Sequence, residues 1–252
     1  MKKCFLICFL IIGLYSYPAE ANLAVSSFYV WFDAQSPKRA ESVRVTNNSN
    51  TSKSYRIKLI NLKQNADGSY SDIEKPLPDN PFAEPYISFS PHETTLAPGQ
   101  TQTVRLVRKP MAAAADGEYV SHLLIRELPE KTAVVPQSGG GELKINIKAL
   151  YGVTIPVIID KGDLYSSADI TSVFADNKFV SVTVKRNGNR SFWGNLIVKN
   201  GTKEIGRVNG FKIFMTTPER RIKIPLSEKI VSGGQVVLED ARTNETVSSK
   251  KL

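Results

Sequence analysis

Residues 42–46 have the sequence Ser-Val-Arg-Val-Thr, in which polar and apolar side chains alternate. Strict alternation gives a β-strand one apolar face and one polar face. The pattern stops at Asn-Asn-Ser-Asn, residues 47–50, a cluster of turn formers. It returns at residues 101–108, directly after a Pro98–Gly99 turn. Because such short strands recur along the chain and helical periods are scarce, the sequence predicts an all-β protein.

Length and composition are those of an ordinary globular protein with one large or two medium-sized domains. The chain has 252 residues, 41% of them hydrophobic, and a formal net charge of +9. This composition excludes a disordered tail and a coiled coil. An apolar run ends at Asp160-Lys161-Gly162-Asp163, and short strands with turn signals continue beyond it. We therefore expect two all-β domains in tandem, at residues 22–159 and 160–252, of which the second is a sandwich or a barrel.

The first 21 residues have the features of a secretory signal peptide. Lys2 and Lys3 precede an apolar run at residues 4–15, and Ala19-Glu20-Ala21 provides a small-x-small cleavage signal. Cys4 and Cys8 are the two cysteines of the chain, and both lie in this segment. We therefore expect an exported chain that, after cleavage at residue 21, has no disulfide and no thiol chemistry.

The sequence contains no clear catalytic, metal-binding or nucleic-acid-binding motif. His92 and His122 are the two histidines, and neither has a carboxylate at metal-motif spacing. The glycines at 139–141 lack the following Gly-Lys-Ser/Thr of a phosphate loop. Basic residues are spread along the strands, and an exported protein seldom meets nucleic acid. The sequence predicts no enzyme activity, no cofactor, no metal and no nucleic-acid partner.

One strand has a pattern that allows two interpretations. Between residues 142 and 149, Leu143, Ile145 and Ile147 alternate with polar side chains. The preceding segment, residues 129–141, is rich in proline and glycine, as expected of a long functional loop. The apolar row could face the core of its own domain. It could also be offered to another protein, because an edge strand can pair with a partner through backbone hydrogen bonds.

The whole of the chain after residue 21 resembles the periplasmic pilus-assembly chaperones of the chaperone–usher pathway, the PapD-like family. No single segment is diagnostic of the family, and the resemblance depends on the order and spacing of several segments. The segments that carry it are Val30-Trp31-Phe32-Asp33, Ser42-Val43-Arg44-Val45-Thr46-Asn47, Phe89-Ser90-Pro91, Leu96-Ala97-Pro98-Gly99-Gln100, Val104-Arg105-Leu106, Leu124-Ile125-Arg126-Glu127-Leu128-Pro129 and Ile155-Pro156.

The resemblance implies two immunoglobulin-like sandwiches in an L shape with a cleft between them. It also implies a non-enzymatic periplasmic protein that binds pilus or fimbrial subunits and delivers them to an outer-membrane usher. The subunit would be stabilised by donor-strand complementation, with Leu143, Ile145, Ile147 and Ala149 filling its open groove. The free chaperone could self-associate through the same strand. The alternative from a different class is an exported two-domain β protein that binds a surface ligand, as an adhesin or carbohydrate-binding module does.

The sequence departs from the family at the cleft. The family usually holds the C-terminal carboxylate of the subunit with two basic residues, because a buried carboxylate needs charge-assisted hydrogen bonds. Alignment on the resembling segments places Tyr29 at the first of these positions and Tyr151 or Gly152 at the second. Lys148 and Arg126 lie close enough in the predicted strands to substitute. Tyr29, Tyr151, Lys148 and Arg126 are therefore the candidate carboxylate anchors.

Overall fold

The structure is a computed structural model that describes residues 22–73, 82–129, 150–231 and 233–252. The predicted signal peptide, the donor residues Leu143, Ile145, Ile147 and Ala149, and Lys148 lie outside these ranges. Within the described ranges the chain is built from strands and turns, with a short 3-10 helix at Glu84–Tyr86. No helix in this part of the chain is long and apolar enough to cross a membrane.

The strands fall into two successive groups. The first group is β1 (Leu23–Val25), β2 (Val30–Asp33), β3 (Ala40–Asn47), β4 (Lys53–Ile60), β5 (Leu62–Gln64), β6 (Tyr70–Asp72), β7 (Ile87–Ser90), β8 (Glu93–Leu96), β9 (Thr101–Arg108), β10 (Gly117–Glu127) and β11 (Gly152–Lys161). The second group is β12 (Ser166–Ala175), β13 (Phe179–Gly188), β14 (Phe192–Asn200), β15 (Lys203–Ile213), β16 (Glu219–Pro225), β17 (Gly234–Asp240) and β18 (Thr246–Lys251).

The first group forms a sandwich of two sheets and a separate hairpin. One sheet has the order β1-β3-β9-β7, the other has the order β2-β11-β10-β4-β8, and β5 and β6 pair with each other. The two sheets share one hydrophobic core, since buried residues of β3 and β9 such as Val43 and Leu106 join Ile57 and Leu123 of the opposite sheet. Burial of such aliphatic side chains is the main stabilising contribution to a sandwich of this kind.

The second group forms a second sandwich with its own core. Its sheets have the orders β12-β13-β16 and β15-β14-β17-β18. Val182 and Ile224 from the first of these sheets pack against Leu196 and Val236 from the second. The prediction of two tandem immunoglobulin-like β-sandwiches is therefore confirmed. The segment between the sandwiches runs from the end of β11 at Lys161 to the start of β12 at Ser166, and a domain boundary at residues 159/160 stays a prediction.

The strand predictions are correct where polar and apolar residues alternate strictly. Elsewhere some strands were not predicted. The predicted strand at residues 101–108 is β9, with Val104 and Leu106 fully buried. Near the end of the longer β15, Asn209 and Gly210 form a β-bulge in which Gly210 has a positive φ of 62°. The polar β5–β6 hairpin and β18 were not predicted, because they lack an apolar row.

Candidate binding cleft between the two sandwiches

The outer face of β10 and β11 is the base on which the cleft is built. Alternation along β10 directs Leu123 and Ile125 into the first core and turns Glu118, Val120 and His122 to the opposite face of the sheet. These outward side chains are nevertheless buried. They are buried because the second sandwich and the β5–β6 hairpin lie against this face.

An apolar cluster holds the two sandwiches together. Val120 and Ile158 of the first sandwich pack with Phe214 of the second, and the half-buried Trp193 joins them. The ring of His122 lies edge-on to Phe214, at 6.3 Å between ring centroids, and edge-on to Tyr70 at 5.7 Å. Burial lowers the pKa of His122 to about 4, so its ring is neutral at pH 7. Neither ring nitrogen has a hydrogen-bond partner among the described residues.

Gln64 at the end of β5 ties the hairpin to the second sandwich by three hydrogen bonds. Its backbone N–H donates to the Thr216 hydroxyl at 3.1 Å, and its side-chain carbonyl accepts from the Phe214 N–H at 3.0 Å. Its Nε2 donates to the Lys212 carbonyl at 3.2 Å. Because Gln64 is only 2% exposed, these bonds satisfy polar atoms that water cannot reach.

A cavity of about 220 Å³ lies beside this contact. The first sandwich lines it with Tyr29, Trp31, Glu118, Ile158 and Asp160. The second sandwich lines it with Arg190, Trp193 and Arg242. Tyr29 and Trp31 lie at the edge of the five-stranded sheet, where β2 pairs in parallel with β11 and Trp31 is opposite Ile158. We call this cavity and its lining the cleft.

Two buried carboxyl groups in the cleft have different partners. Asp160 forms an ion pair with Arg190 at 3.0 Å across the two sandwiches, and burial raises the pKa of Asp160 despite that positive charge. Glu118 accepts a hydrogen bond from the Ser191 hydroxyl, and its backbone N–H donates to the Asn189 carbonyl at 3.0 Å. Burial raises the pKa of Glu118 to about 7, because the charged carboxylate loses its hydration.

Aromatic rings of the cleft lining are in contact with basic side chains. The Tyr29 and Trp193 rings are in an edge-to-face arrangement with centroids 5.9 Å apart. The Lys212 ammonium lies 3.9 Å from the Trp193 ring centroid and 4.9 Å from that of Tyr29, and the Arg242 guanidinium lies 4.9 Å from the Trp193 centroid. These distances are within the range of cation–π attraction. Burial, followed by the nearby charge of Arg242, lowers the pKa of Lys212.

The candidate anchors predicted from the sequence lie in different places. Tyr29 lines the cleft and is 43% exposed. Arg126 lies near the end of β10 opposite Arg56 of β4, and lines a second cavity of about 340 Å³. Tyr151 is 55% exposed, and its carbonyl accepts the Glu127 N–H at 2.9 Å. Tyr29 and Arg126 are thus not brought together, and Lys148 is outside the described residues.

The cleft residues of the second sandwich could not be predicted from the sequence. Arg190, Trp193 and Arg242 lie far from Tyr29 in sequence and have no common spacing with it. A signal was present only on the first sandwich. Glu118 and His122 lie in the strand at residues 117–127, whose apolar residues occupy both faces, namely Tyr119, Val120, Leu123, Leu124 and Ile125.

The edge of β11 is only partly covered by a neighbouring strand. β10 pairs with β11 along its whole length, from Gly152 to Lys161. On the other edge, β2 pairs only with residues 157–160. Within the described ranges, residues 152–156 therefore have a strand partner on one edge and none on the other.

Comparison with known proteins gives a match at the level of the fold. No protein-family model matches the sequence, and no curated protein matches it significantly. The crystal structure of the YadV chaperone is similar with a TM-score of 0.50 at 12% identity, over 92% of this chain and 100% of that chain.

Two further similar structures have a TM-score of 0.49. The Pseudomonas aeruginosa CupB2 chaperone is 13% identical, over 90% of this chain and 98% of that chain. The CsuC–CsuE chaperone–tip adhesion subunit complex from the archaic chaperone–usher Csu pili of Acinetobacter baumannii is 14% identical, over 92% and 97%. The YadV match extends over both sandwiches, and the chain shares the fold of that chaperone.

Proposed function

We propose that the chain is a periplasmic chaperone that binds pilus or fimbrial subunits and delivers them to an outer-membrane usher. The observation that carries the proposal is the similarity to the YadV chaperone, which covers 92% of this chain and both of its sandwiches. In this proposal the protein is a binding protein and not an enzyme. The predicted signal peptide at residues 1–21 would direct it to the periplasm.

We propose further that binding occurs by strand donation from residues 143–149. The open edge of β11 at residues 152–156 supports this proposal, because an incoming strand could pair with it through backbone hydrogen bonds. Leu143, Ile145, Ile147 and Ala149 precede this edge directly in sequence. Burial of each Leu or Ile side chain in a groove of the subunit would contribute roughly 1.5–3 kcal/mol.

The test is co-purification from the periplasm with the products of neighbouring genes. Replacing Ile145 by Asp would put a charge into the apolar groove of the subunit. Burial of a carboxylate without a partner has a large desolvation cost, so binding should be lost. The matched control is Asn146→Asp. It adds the same charge at the neighbouring residue, which belongs to the polar row of the same strand. We expect a small β-rich subunit to co-purify with the wild type and the control, and to be lost from Ile145→Asp.

Each other result contradicts a different part of the proposal. Equal recovery with Ile145→Asp and the wild type would exclude strand donation by this row. Loss of folding in Ile145→Asp, seen by circular dichroism, would assign Ile145 to the chain's own core. Recovery of the wild type without any partner protein would favour the alternative of an exported ligand-binding protein.

A further inference from the structure

Strand β11 changes from an interior strand to an edge strand at Pro156. On one side, β2 pairs with residues 157–160 of β11, and this pairing stops directly after Pro156. Within the described ranges, residues 152–156 have β10 on one side and no strand on the other. The end of the cover provided by β2 therefore coincides with a proline, and the chemistry of that residue explains why.

Two backbone hydrogen bonds show which residues of β11 direct their peptide groups to the open edge. The Tyr151 carbonyl accepts the Glu127 N–H at 2.9 Å, on the side of β10. The Asp160 carbonyl accepts the Ala34 N–H at 2.7 Å, on the side of β2. Successive residues of a strand direct their peptide groups to opposite edges, and the register of β11 with β10 is continuous. The even-numbered residues of β11, Pro156 among them, therefore face the edge on which β2 lies.

Pro156 lacks an N–H group at the point where a longer β2 would need one. In this parallel pairing, the carbonyl of a β11 residue accepts from the residue that follows its opposite on β2, as Asp160 does. The N–H of the β11 residue correspondingly donates to the residue that precedes its opposite. Continued by one residue, the register places Tyr29 opposite residue 156, whose N–H would donate to the Phe28 carbonyl. Proline has no N–H to donate, and within sheets it is confined to edges for this reason.

The segment before β2 has its backbone hydrogen bonds within itself. The Ser27 hydroxyl donates to the Tyr29 carbonyl at 2.5 Å and accepts the Tyr29 N–H at 3.4 Å. Phe28 between them is 87% exposed. Because so exposed a side chain has little packing to lose, this segment could lie along β11 if a hydrogen bond there favoured it.

We infer that Pro156 keeps the edge of β11 open by preventing β2 from extending over it. An extended β2 would also direct the Phe28 N–H to the Thr154 carbonyl, a group that a partner strand needs. Gly152 and Thr154 are exposed, and their peptide groups face this edge. An open edge is normally a liability, because other strands can pair with it. That the edge is kept for a strand of a bound subunit rests on the proposed function, whereas the effect of Pro156 on the length of β2 does not.

The first experiment measures amide hydrogen exchange by NMR in the chain alone, for the wild type, Pro156→Ala and Pro156→Val. Both variants restore the N–H of residue 156 but differ in side chain, so an effect that they share is due to the N–H. We expect the Phe28 N–H to exchange at least about tenfold more slowly in both variants than in the wild type, because it becomes part of the ladder. Unchanged exchange of the Phe28 N–H would overturn the inference. If one variant does not fold, the other decides.

The matched control is Pro225→Ala. Pro225 is an exposed proline at the end of β16 in the second sandwich, where it is opposite Phe179 of β13. The change restores an N–H in the same way but far from β2, so the Phe28 N–H should exchange as in the wild type. Equal slowing in Pro225→Ala and Pro156→Ala would show a general effect on stability and would overturn the inference.

The second experiment tests the role of the open edge in binding. Wild type and Pro156→Ala compete for a limiting amount of the co-purified subunit, and wild type and Pro225→Ala do so in parallel. An extended β2 competes with the partner strand, so Pro156→Ala should bind roughly two- to tenfold more weakly, as one additional hydrogen bond in the free chain implies. Equal binding by wild type and Pro156→Ala would contradict the role of Pro156 in binding. Failure of the wild type to co-purify with a subunit would contradict the proposed function and leave the exchange result valid.

Discussion

The two faces of strand β10 are both buried, but for different reasons. The inner face carries Leu123 and Ile125, which pack in the apolar core of the first sandwich. The outer face carries Glu118 and His122, whose burial requires the second sandwich and the hairpin. Packing of apolar side chains is stabilising on the inner face, whereas desolvation of ionisable groups is costly on the outer face. The comparison indicates that the inner face stabilises the fold and the outer face shapes the cleft.

The largest expected effect is on the inner face. Replacing Leu123 by Ala should lower the free energy of unfolding by about 2–5 kcal/mol, because Leu123 is fully buried and its loss leaves a cavity. Urea denaturation followed by circular dichroism measures the change. The matched control is Leu124→Ala, a half-buried leucine of the outer face, which should cost clearly less. Equal losses in the two variants would show that the two faces of β10 contribute alike.

The outer face should give the next effect, in the pH dependence of stability. Burial raises the pKa of Glu118 from 4.5 to about 7, so the folded state holds this proton more tightly than the unfolded state. Glu118 therefore favours folding at low pH, and this advantage is lost as pH rises from about 4.5 through 7. His122 acts in the opposite direction, since its pKa falls from 6.5 to about 4 and its stabilising effect is lost on acidification. In the wild type the two trends oppose each other between pH 4.5 and 6.5.

Replacing Glu118 by Gln should leave the pH dependence of the free energy of unfolding that is due to His122. Relative to the wild type, the variant should gain stability as pH rises from 4.5 to 7.5, by on the order of 3 kcal/mol in total. Urea unfolding at a series of pH values measures this gain. Glu228→Gln is the control, because Glu228 is a surface residue paired with Lys203. A wild-type-like pH profile for Glu118→Gln would mean that folding leaves the pKa of Glu118 unchanged.

The smallest expected change in stability is at Gln64. Replacing it by Ala removes its two side-chain hydrogen bonds to the second sandwich and should cost about 1–2 kcal/mol. Because Gln64 joins the sandwiches and is not in either core, both should remain folded while their relative orientation becomes less restricted. Residual dipolar couplings measured on both sandwiches test this. Gln102→Ala, at a residue whose Nε2 donates only to the neighbouring Thr103 carbonyl, should leave the couplings unchanged. Unchanged couplings in Gln64→Ala would exclude this role.

The sequence predicted the strands better than it predicted the cleft, and the reason is periodicity. Strand β9 was predicted over its full length, because its apolar side chains recur at every second position. The β5–β6 hairpin has no such row, so Gln64 gave no signal although it makes three hydrogen bonds to the second sandwich. Of the predicted anchors, Tyr29 is in the cleft and Arg126 lines another cavity. Alignment on Phe32-Asp33 placed Tyr29, which directly precedes β2, whereas Arg126 was chosen only for lying on a neighbouring strand.

Local sequence patterns were enough to predict the all-β class, the alternation of faces along each strand and the succession of two β domains. These properties depend on residues close together in the chain, and the period of two that directs side chains to either face is a local property of the backbone. In contrast, the outer face that the second sandwich covers, and therefore the side chains that meet at the cleft, became known only from the packing of the two sandwiches. Lys212 and Tyr29 are brought together by the packing of one sandwich on the other. That packing depends on contacts such as those of Gln64 and Phe214, for which no local pattern exists.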